Sequence, residues 1–280
     1  MNSVLHSFQE SSTKIVNLLL NKHNINYKSS ENTNASGDKV HKIDEKANEI
    51  IKEVLLKNTN IYAIASEEEE NIIYNNIESG KYLVVFDPLD GSSNIDTSLT
   101  VGTIFGIFEV NKDSEKVLDV SKSMIGAAYT LYGPSPLMIW ADTKCVKEFN
   151  FYKNKWVYNQ LLMHPKTNKF YCVNSANEGK WKEETVAFFQ DQKDKGLGLR
   201  WAGCMVSDVH RIIVQGGVFA YPADREGKCK LRLLYECLPM TFILHKLGGR
   251  GWNSEYQNLL KIKLDLLKDI HKKVEIFLSI

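Results

Sequence analysis

The 280-residue chain is 43% hydrophobic and 25% charged, which excludes a disordered polymer and supplies material for a sizeable core. Its 35 basic and 34 acidic residues leave a formal net charge of +1, so neither nucleic acid nor an anionic membrane meets a global attracting field, and any anion must be held locally. Five cysteines without a CxxC pair read as reduced thiols of a cytoplasmic protein, and the sequence shows neither a leader-type amino terminus nor an apolar run of membrane length.

In chain order, residues 3 to 20 set Val4, Phe8, Ile15, Leu18 and Leu19 on one helical stripe, and the polar run NINYKSSENTNASGD after it predicts a loop. Ile43, Ala47, Ile50, Ile51, Val54 and Leu55 recur at helical spacing between charged residues, a second amphipathic helix whose start is flanked by Asp38 and Asp44. The runs IYAIA (61–65) and YLVVF (82–86) are too short for helices and rich in β-branched or aromatic residues. Both predict buried strands, and each runs straight into acids. GTIFGIF predicts a further strand, and residues 127–132 and 137–140 a strand pair around a Gly-Pro turn. Residues 144 to 169 show no clear period; near their end lies the expected boundary between two lobes of one body, 1–170 and 171–280. Beyond it, residues 183 to 190 predict a short helix, GGVFAYP and KLRLLYE predict strands, and CLPMTFILHKLGG a helix closed by glycine.

The sharpest local feature is FDPLDGSS at 86–93. A buried strand delivers Asp87, a proline fixes the turn and Asp90 follows, so both carboxylates can face one point. Gly91, Ser92 and Ser93 come next, and their backbone N–H groups can converge on an anion. If the strand ending in SEEEE lies alongside, Glu67 and Glu68 join the pair. Such an oxygen-rich cluster suits magnesium or manganese rather than zinc, and two ions held there would serve an in-line phosphoryl displacement. The pattern points to hydrolysis of a phosphate ester. Two plainer readings stand beside it: an acid run such as EEEE, Glu69 and Glu70 above all, is commonly a solvated surface, and an Asx turn capping a helix would also set Asp87 and Asp90 side by side.

The stretch FDPLDGSSNIDTSLTVGTIFGIF is similar to the signature of class I fructose-1,6-bisphosphatases. Further blocks resemble the same family in order along the chain: NASGDKVHKID, ASEEE, NSANEG, RWAGCMVSDVHRIIVQGGVFAYPA, KLRLLYECLPM with KLGG, and a terminal DIH. The resemblance implies an α/β fold, a layered α/β/α/β/α sandwich with mixed sheets. It also implies hydrolysis of fructose 1,6-bisphosphate to fructose 6-phosphate and phosphate, the gluconeogenic step, with two or more Mg2+ ions per subunit and Mn2+ able to serve instead. As metal ligands it implies Asp38, Glu67, Glu68, Asp87, the Leu89 carbonyl, Asp90 and Glu236, and as the pair activating the attacking water Asp44 and Glu68. Around the 1-phosphate it implies Gly91, Ser92 and Ser93 assisted by Asn94; around the 6-phosphate Asn177, Arg200 and Tyr221; on the sugar Gly203, Met205 and Lys230. In the family that arginine reaches a neighbouring subunit's site, so a homo-oligomer, commonly a tetramer, is implied. Sedoheptulose-1,7-bisphosphatase is the nearest rival and is less similar at DGSSNID. From another class the rival is a metal-binding pseudoenzyme, against which the retained carboxylates speak.

Departures from the family pattern carry expectations of their own. Trp201 stands where a phosphate-binding tyrosine is usual, Lys180 replaces a second tyrosine and Cys204 a serine, so altered phosphate affinity is expected. Lys81 and Tyr82 match part of an AMP site, yet its glycine-threonine loop is not recognisable and Glu109 replaces an arginine; little inhibition by AMP is expected. The chain ends at FLSI, where relatives continue into a further helix, which implies lower stability.

Overall fold

The computed structural model describes residues 1–22, 42–75, 77, 79–110, 117–255 and 258–280. Its helices are α1 (Asn2–Leu20), α2 (Lys42–Leu56), α3 (Val120–Ser123), α4 (Glu183–Asp194), α5 (Met205–Gln215) and α6 (Leu238–Lys246). The first strands are β1 (Ile61–Ser66), β2 (Ile73–Tyr74), β3 (Tyr82–Asp90), β4 (Val101–Glu109), β5 (Val117–Asp119), β6 (Met124–Tyr132), β7 (Leu137–Asp142), β8 (Val146–Tyr152) and β9 (Lys155–Leu161). After them come β10 (Phe170–Cys172), β11 (Gly198–Arg200), β12 (Gly217–Tyr221), β13 (Leu231–Arg232), β14 (Arg250–Trp252), β15 (Lys263–Asp265), β16 (Lys273–Val274) and β17 (Ile276–Ser279).

Eight strands form one mixed sheet in the order β2-β1-β3-β4-β6-β7-β8-β9, with β1 and β3 parallel. Five form a second mixed sheet, β11-β10-β12-β17-β14. Both faces of the large sheet are covered at its central strands, which is why these read as continuous apolar runs. On one face, Val84, Phe86 and Phe105 meet Phe8 and Ile15 of α1 and Ile43, Ala47 and Ile51 of α2; Phe8 stacks on Phe105 at 3.9 Å. On the other, Leu83, Val85 and Ile104 join Val206 and Val209 of α5 and Met240 and Ile243 of α6. The same core reaches Cys172, Phe219 and Leu278 of the small sheet, whose far face, Tyr171, Val218, Ala220 and Phe277, packs on Phe189 of α4. Helices, sheet, helices, sheet and helix thus stack as the expected α/β/α/β/α sandwich. Among the described residues no helix is long and apolar enough to cross a membrane.

Three segments differ from the sequence reading. Residues 144–169 contain the hairpin β8–β9; β9 is almost wholly exposed, so burial leaves no alternation in its sequence, and the turn puts Lys153 and Asn154 at positive φ of 48° and 60° without the Asn-Gly pair that marks such turns. KLRLLYE is a strand only at Leu231–Arg232, and Leu233–Cys237 are wound as a π-helix that enters α6. Helix α5 has no side-chain cap of its own, hence no start signal in its sequence. The predicted loop NINYKSSENTNASGD lies outside the described residues.

The packing of α5 carries a pH expectation. The Tyr129 hydroxyl bonds to Nδ1 of His210 at 2.7 Å, and burial lowers the imidazole to about 4. A depressed base contributes stability that is complete above its unfolded value, near 6.5, and lost as pH falls towards 4, because the unfolded chain takes up the proton first. Between pH 7 and 4.5, wild type is expected to lose about 2 kcal/mol more than His210→Gln in urea unfolding. Burial pushes Asp208 up to about 6, which acts in the opposite sense, but it is common to both proteins and cancels in the difference. Parallel pH curves for the two proteins would refute the assignment.

Candidate active site

Strands β1 and β3 are parallel, with Ser66 beside Phe86, so the acids that follow them emerge together. The Glu67 N–H donates to the Phe86 carbonyl at 3.1 Å, which places Glu67 next to Asp87. Asp87 Oδ1 accepts the Leu89 N–H at 2.9 Å; the Asx turn considered above exists, and it aims the acid rather than replacing its role. Asp90 Oδ2 accepts the Val206 N–H at 2.7 Å and the Cys204 thiol at 3.0 Å. Asp90 therefore serves as the missing cap of α5, where the helix N-terminus favours its negative charge.

The π-helical turn brings in a fourth acid. Glu236 Oε2 accepts the Arg232 N–H at 2.6 Å, and oxygens of Asp87, Asp90 and Glu236 all lie within 4.8 Å of one another, all three residues buried. Beside them Arg232 Nη1 pairs with Glu67 Oε1 at 2.6 Å. Burial first, and neighbouring negative charge after it, pushes Glu67 and Asp87 well above the usual carboxylate range; burial also raises Asp90, and Glu236 to about 7. Converging buried carboxylates repel each other unless a cation sits among them, and an all-oxygen donor set of this kind fits a hard divalent ion.

Next to the acids the backbone is built for close approach. Gly91 has φ +74°, and a Cβ there would lie 2.6 Å from the Cβ of Cys204, so only glycine fits between the loop and α5. Ser92–Asn94 then form a 3-10 turn. Helix α2 brings Asp44, 4% exposed, into the same surroundings. It is fastened to the acidic turn by Asn48, which accepts from the Ser66 hydroxyl and donates to Glu69 Oε1, each at 2.7 Å, and by Lys52 on the same Glu69 oxygen at 2.7 Å. Glu69 is thus an anchor and Glu70 is exposed, so the solvated-surface reading holds for the second of them only.

These elements enclose a cleft of about 360 Å³. Of the ligand, catalytic and substrate residues that the resemblance implies, Asp44, Glu67, Glu68, Asp87, Leu89, Asp90, Gly91, Ser92, Ser93, Gly203, Met205, Tyr221, Lys230 and Glu236 line it. Three do not. Asn94 spends its amide N–H groups on the Thr100 and Ala202 carbonyls, at 2.9 and 3.0 Å; Asn177 lies in a separate 3-10 helix; Arg200 is exposed and lies 4.8 Å over the Phe170 ring. Asp38 falls outside the described residues. Trp201, near-parallel to Phe219 at 6.3 Å, and Tyr221, with the Lys230 ammonium 5.6 Å from its ring, form an aromatic wall. Arg232 is the charged lining residue that sequence reasoning passed over, as it did the apolar Phe219 and Leu231; its one signal was a charge inside an apolar run, which demands a partner.

Family models of the fructose-1,6-bisphosphatase N-terminal and C-terminal domains match residues 1–161 and 164–279. The chain belongs to the fructose-1,6-bisphosphatase family. It is 37% identical over 255 residues to the class 1 fructose-1,6-bisphosphatase of Persephonella marina, covering 88% of this chain and 78% of that one. To the cytosolic fructose-1,6-bisphosphatase of Oryza coarctata it is 37% identical over 264 residues, 88% of this chain and 75% of the relative. The fold superposes on the holo form of Leishmania major fructose-1,6-bisphosphatase with a TM-score of 0.91 at 29% identity, covering 99% of this chain and 90% of that structure. The acids and the glycine-serine turn that line the cleft lie in the segments through which the chain resembles this family.

Proposed function

We propose that this member of the fructose-1,6-bisphosphatase family hydrolyses the 1-phosphate of fructose 1,6-bisphosphate, giving fructose 6-phosphate and inorganic phosphate. The observation that carries the reading is the convergence of Asp87, Asp90 and Glu236 beside the Gly91-Ser92-Ser93 turn in one cleft. Two or more Mg2+ ions, or Mn2+ in their place, would be held by Glu67, Glu68, Asp87, the Leu89 carbonyl, Asp90 and Glu236, with Asp38 contributing. When bound, such ions supply positive charge against the oxygens of the reacting phosphoryl group.

The chain's own residues do the rest. Backbone N–H groups of the Gly91–Ser93 turn and the two serine hydroxyls bind and orient the 1-phosphate. Asp44 and Glu68, which line the same cleft, serve as the pair that takes the proton of the attacking water as its oxygen bonds to phosphorus; the bond from phosphorus to the sugar oxygen breaks, and that oxygen takes up a proton from solvent water. Gly203, Met205 and Lys230 hold the sugar and Tyr221 the 6-phosphate, with Asn177, which does not line the cleft, assigned to that phosphate by the family resemblance alone. Trp201 offers one indole N–H there and a broad apolar face. Arg200, exposed in its own subunit, would complete the neighbour's site in a cytoplasmic homotetramer. In the same reading residues 1–170 act as the lobe carrying most of the acids and residues 171–280 as the substrate lobe.

Phosphate release by the purified chain, with and without a chelator, tests this. Mg2+-dependent turnover of fructose 1,6-bisphosphate, faster than of sedoheptulose 1,7-bisphosphate or an inositol monophosphate, is the expected result. Preference for either alternative would reassign the substrate, and no turnover of any would leave a binding protein.

A further inference from the structure

His271 stands between the two acid-bearing segments of the cleft without lining it. A carbonyl can only accept, so its Nε2–H donates to the Glu69 carbonyl, at 3.0 Å, closing the turn that presents Glu67 and Glu68. Its ring packs on Tyr235, centroids 5.5 Å apart, the residue before Glu236. The chain just beyond it is bound to that same segment: the Leu233 N–H donates to the Lys272 carbonyl at 2.8 Å, and Arg232 pairs with Lys273 across β13 and β16.

With the proton on Nε2, Nδ1 is an acceptor. It is buried without a partner among the described residues, as is the hydroxyl of Tyr235. An unpaired buried polar atom costs free energy that an apolar side chain of similar volume avoids. What the imidazole adds in return is its hydrogen bonding to the backbone of the acidic turn, at Glu69 and Glu70. The turn's other ties run from Asn48 and Lys52 of α2 to the Glu69 side chain, from the Phe86 carbonyl of β3 to the Glu67 N–H, and from the Arg232 guanidinium to the Glu67 carboxylate; Arg232 holds a side chain of the turn, whereas the imidazole holds its backbone.

We propose that His271 is a positioning residue for the metal-ligand set, pinning the Glu67–Glu68 turn to the segment that carries Arg232 and Glu236 so that acids distant in the chain keep one spacing. This rests on the reading of the cleft as a divalent-cation site. Mn2+ binding to the full chain by titration calorimetry, compared for wild type, His271→Ala and His271→Gln, tests it without needing turnover. Alanine is expected to weaken Mn2+ binding about tenfold and to raise in parallel the Mg2+ needed for half-maximal phosphate release. The KM for fructose 1,6-bisphosphate at saturating Mg2+ should stay within about twofold, because His271 touches the acidic turn and not the substrate cradle. Glutamine, whose amide N–H can reach the same carbonyl, should recover at least half of the lost binding free energy. Unchanged Mn2+ affinity in the alanine variant, or equal losses in both variants, would overturn the proposal. Should alanine prevent folding, His271→Leu refills the volume without a donor, and wild-type affinity in that variant is equally fatal. Wild type binding Mn2+ but releasing no phosphate sinks the hydrolase reading while this comparison still decides; wild type binding no Mn2+ overturns both.

Discussion

Asp90→Asn is expected to lower phosphate release about a thousandfold while raising the unfolding midpoint measured in EDTA. The two effects have one origin. Asp90 is buried beside Asp87 and Glu236, and burial holds its carboxyl above the usual range, so its charge costs the metal-free fold stability near neutral pH. Asparagine removes that charge yet keeps a carbonyl oxygen able to accept the Val206 N–H that starts α5. The helix should therefore survive, while the cleft loses a ligand for the cation and the negative charge that attracts it. A variant that retains activity within tenfold of wild type, or that is less stable in EDTA, would contradict this account.

Arg232→Met should do the reverse to the fold. The guanidinium is 2.6 Å from Glu67, and the two side chains are only 6% and 12% exposed. Methionine can fill the space but leaves Glu67 facing Glu236, Glu68 and Asp90 with its counter-charge gone. Breaking a buried pair from one side costs about 3 to 5 kcal/mol, here on the metal-free protein, read as the shift in urea unfolding in EDTA. Added Mg2+ should restore more stability to this variant than to wild type, since the ion then supplies the missing positive charge. An unfolding curve that coincides with wild type in EDTA would mean the pair contributes nothing.

Much of this was legible in the sequence where burial on both faces writes itself as apolar runs. YLVVF and GTIFGIF became central strands because Val84 and Phe86 face α1 and α2 while Leu83 and Val85 face α5 and α6. The pair Asp87 and Asp90 was legible for the same reason, since a strand end and a proline fix where they emerge. Glu236 came only through the family resemblance, because its direction depends on how YECLPM winds, and local spacing fits a strand end as well as a helix start. Helix α5 stayed hidden because its cap comes from Asp90, far away in the chain. The hairpin β8–β9 stayed hidden because its outer strand is exposed and bears no alternation. Residues whose work is to pin others are hard to read: Asn48 and Lys52 leave no motif, and the DIH block marks His271 without saying what it does, since all three act through carbonyl and carboxylate partners that only folding brings close.

The π-helical turn Leu233–Cys237 holds one residue more than a regular turn would, in effect an insertion spliced into the run-up to α6. Delete Leu233, Leu234 or Tyr235 and the segment can rewind to regular pitch, swinging Glu236 by roughly 100° about the axis, off the point it shares with Asp87 and Asp90. Where that oxygen sits is decided by counting rather than by chemistry, so a single-codon deletion could silence the cleft while every acid is still spelled in the gene.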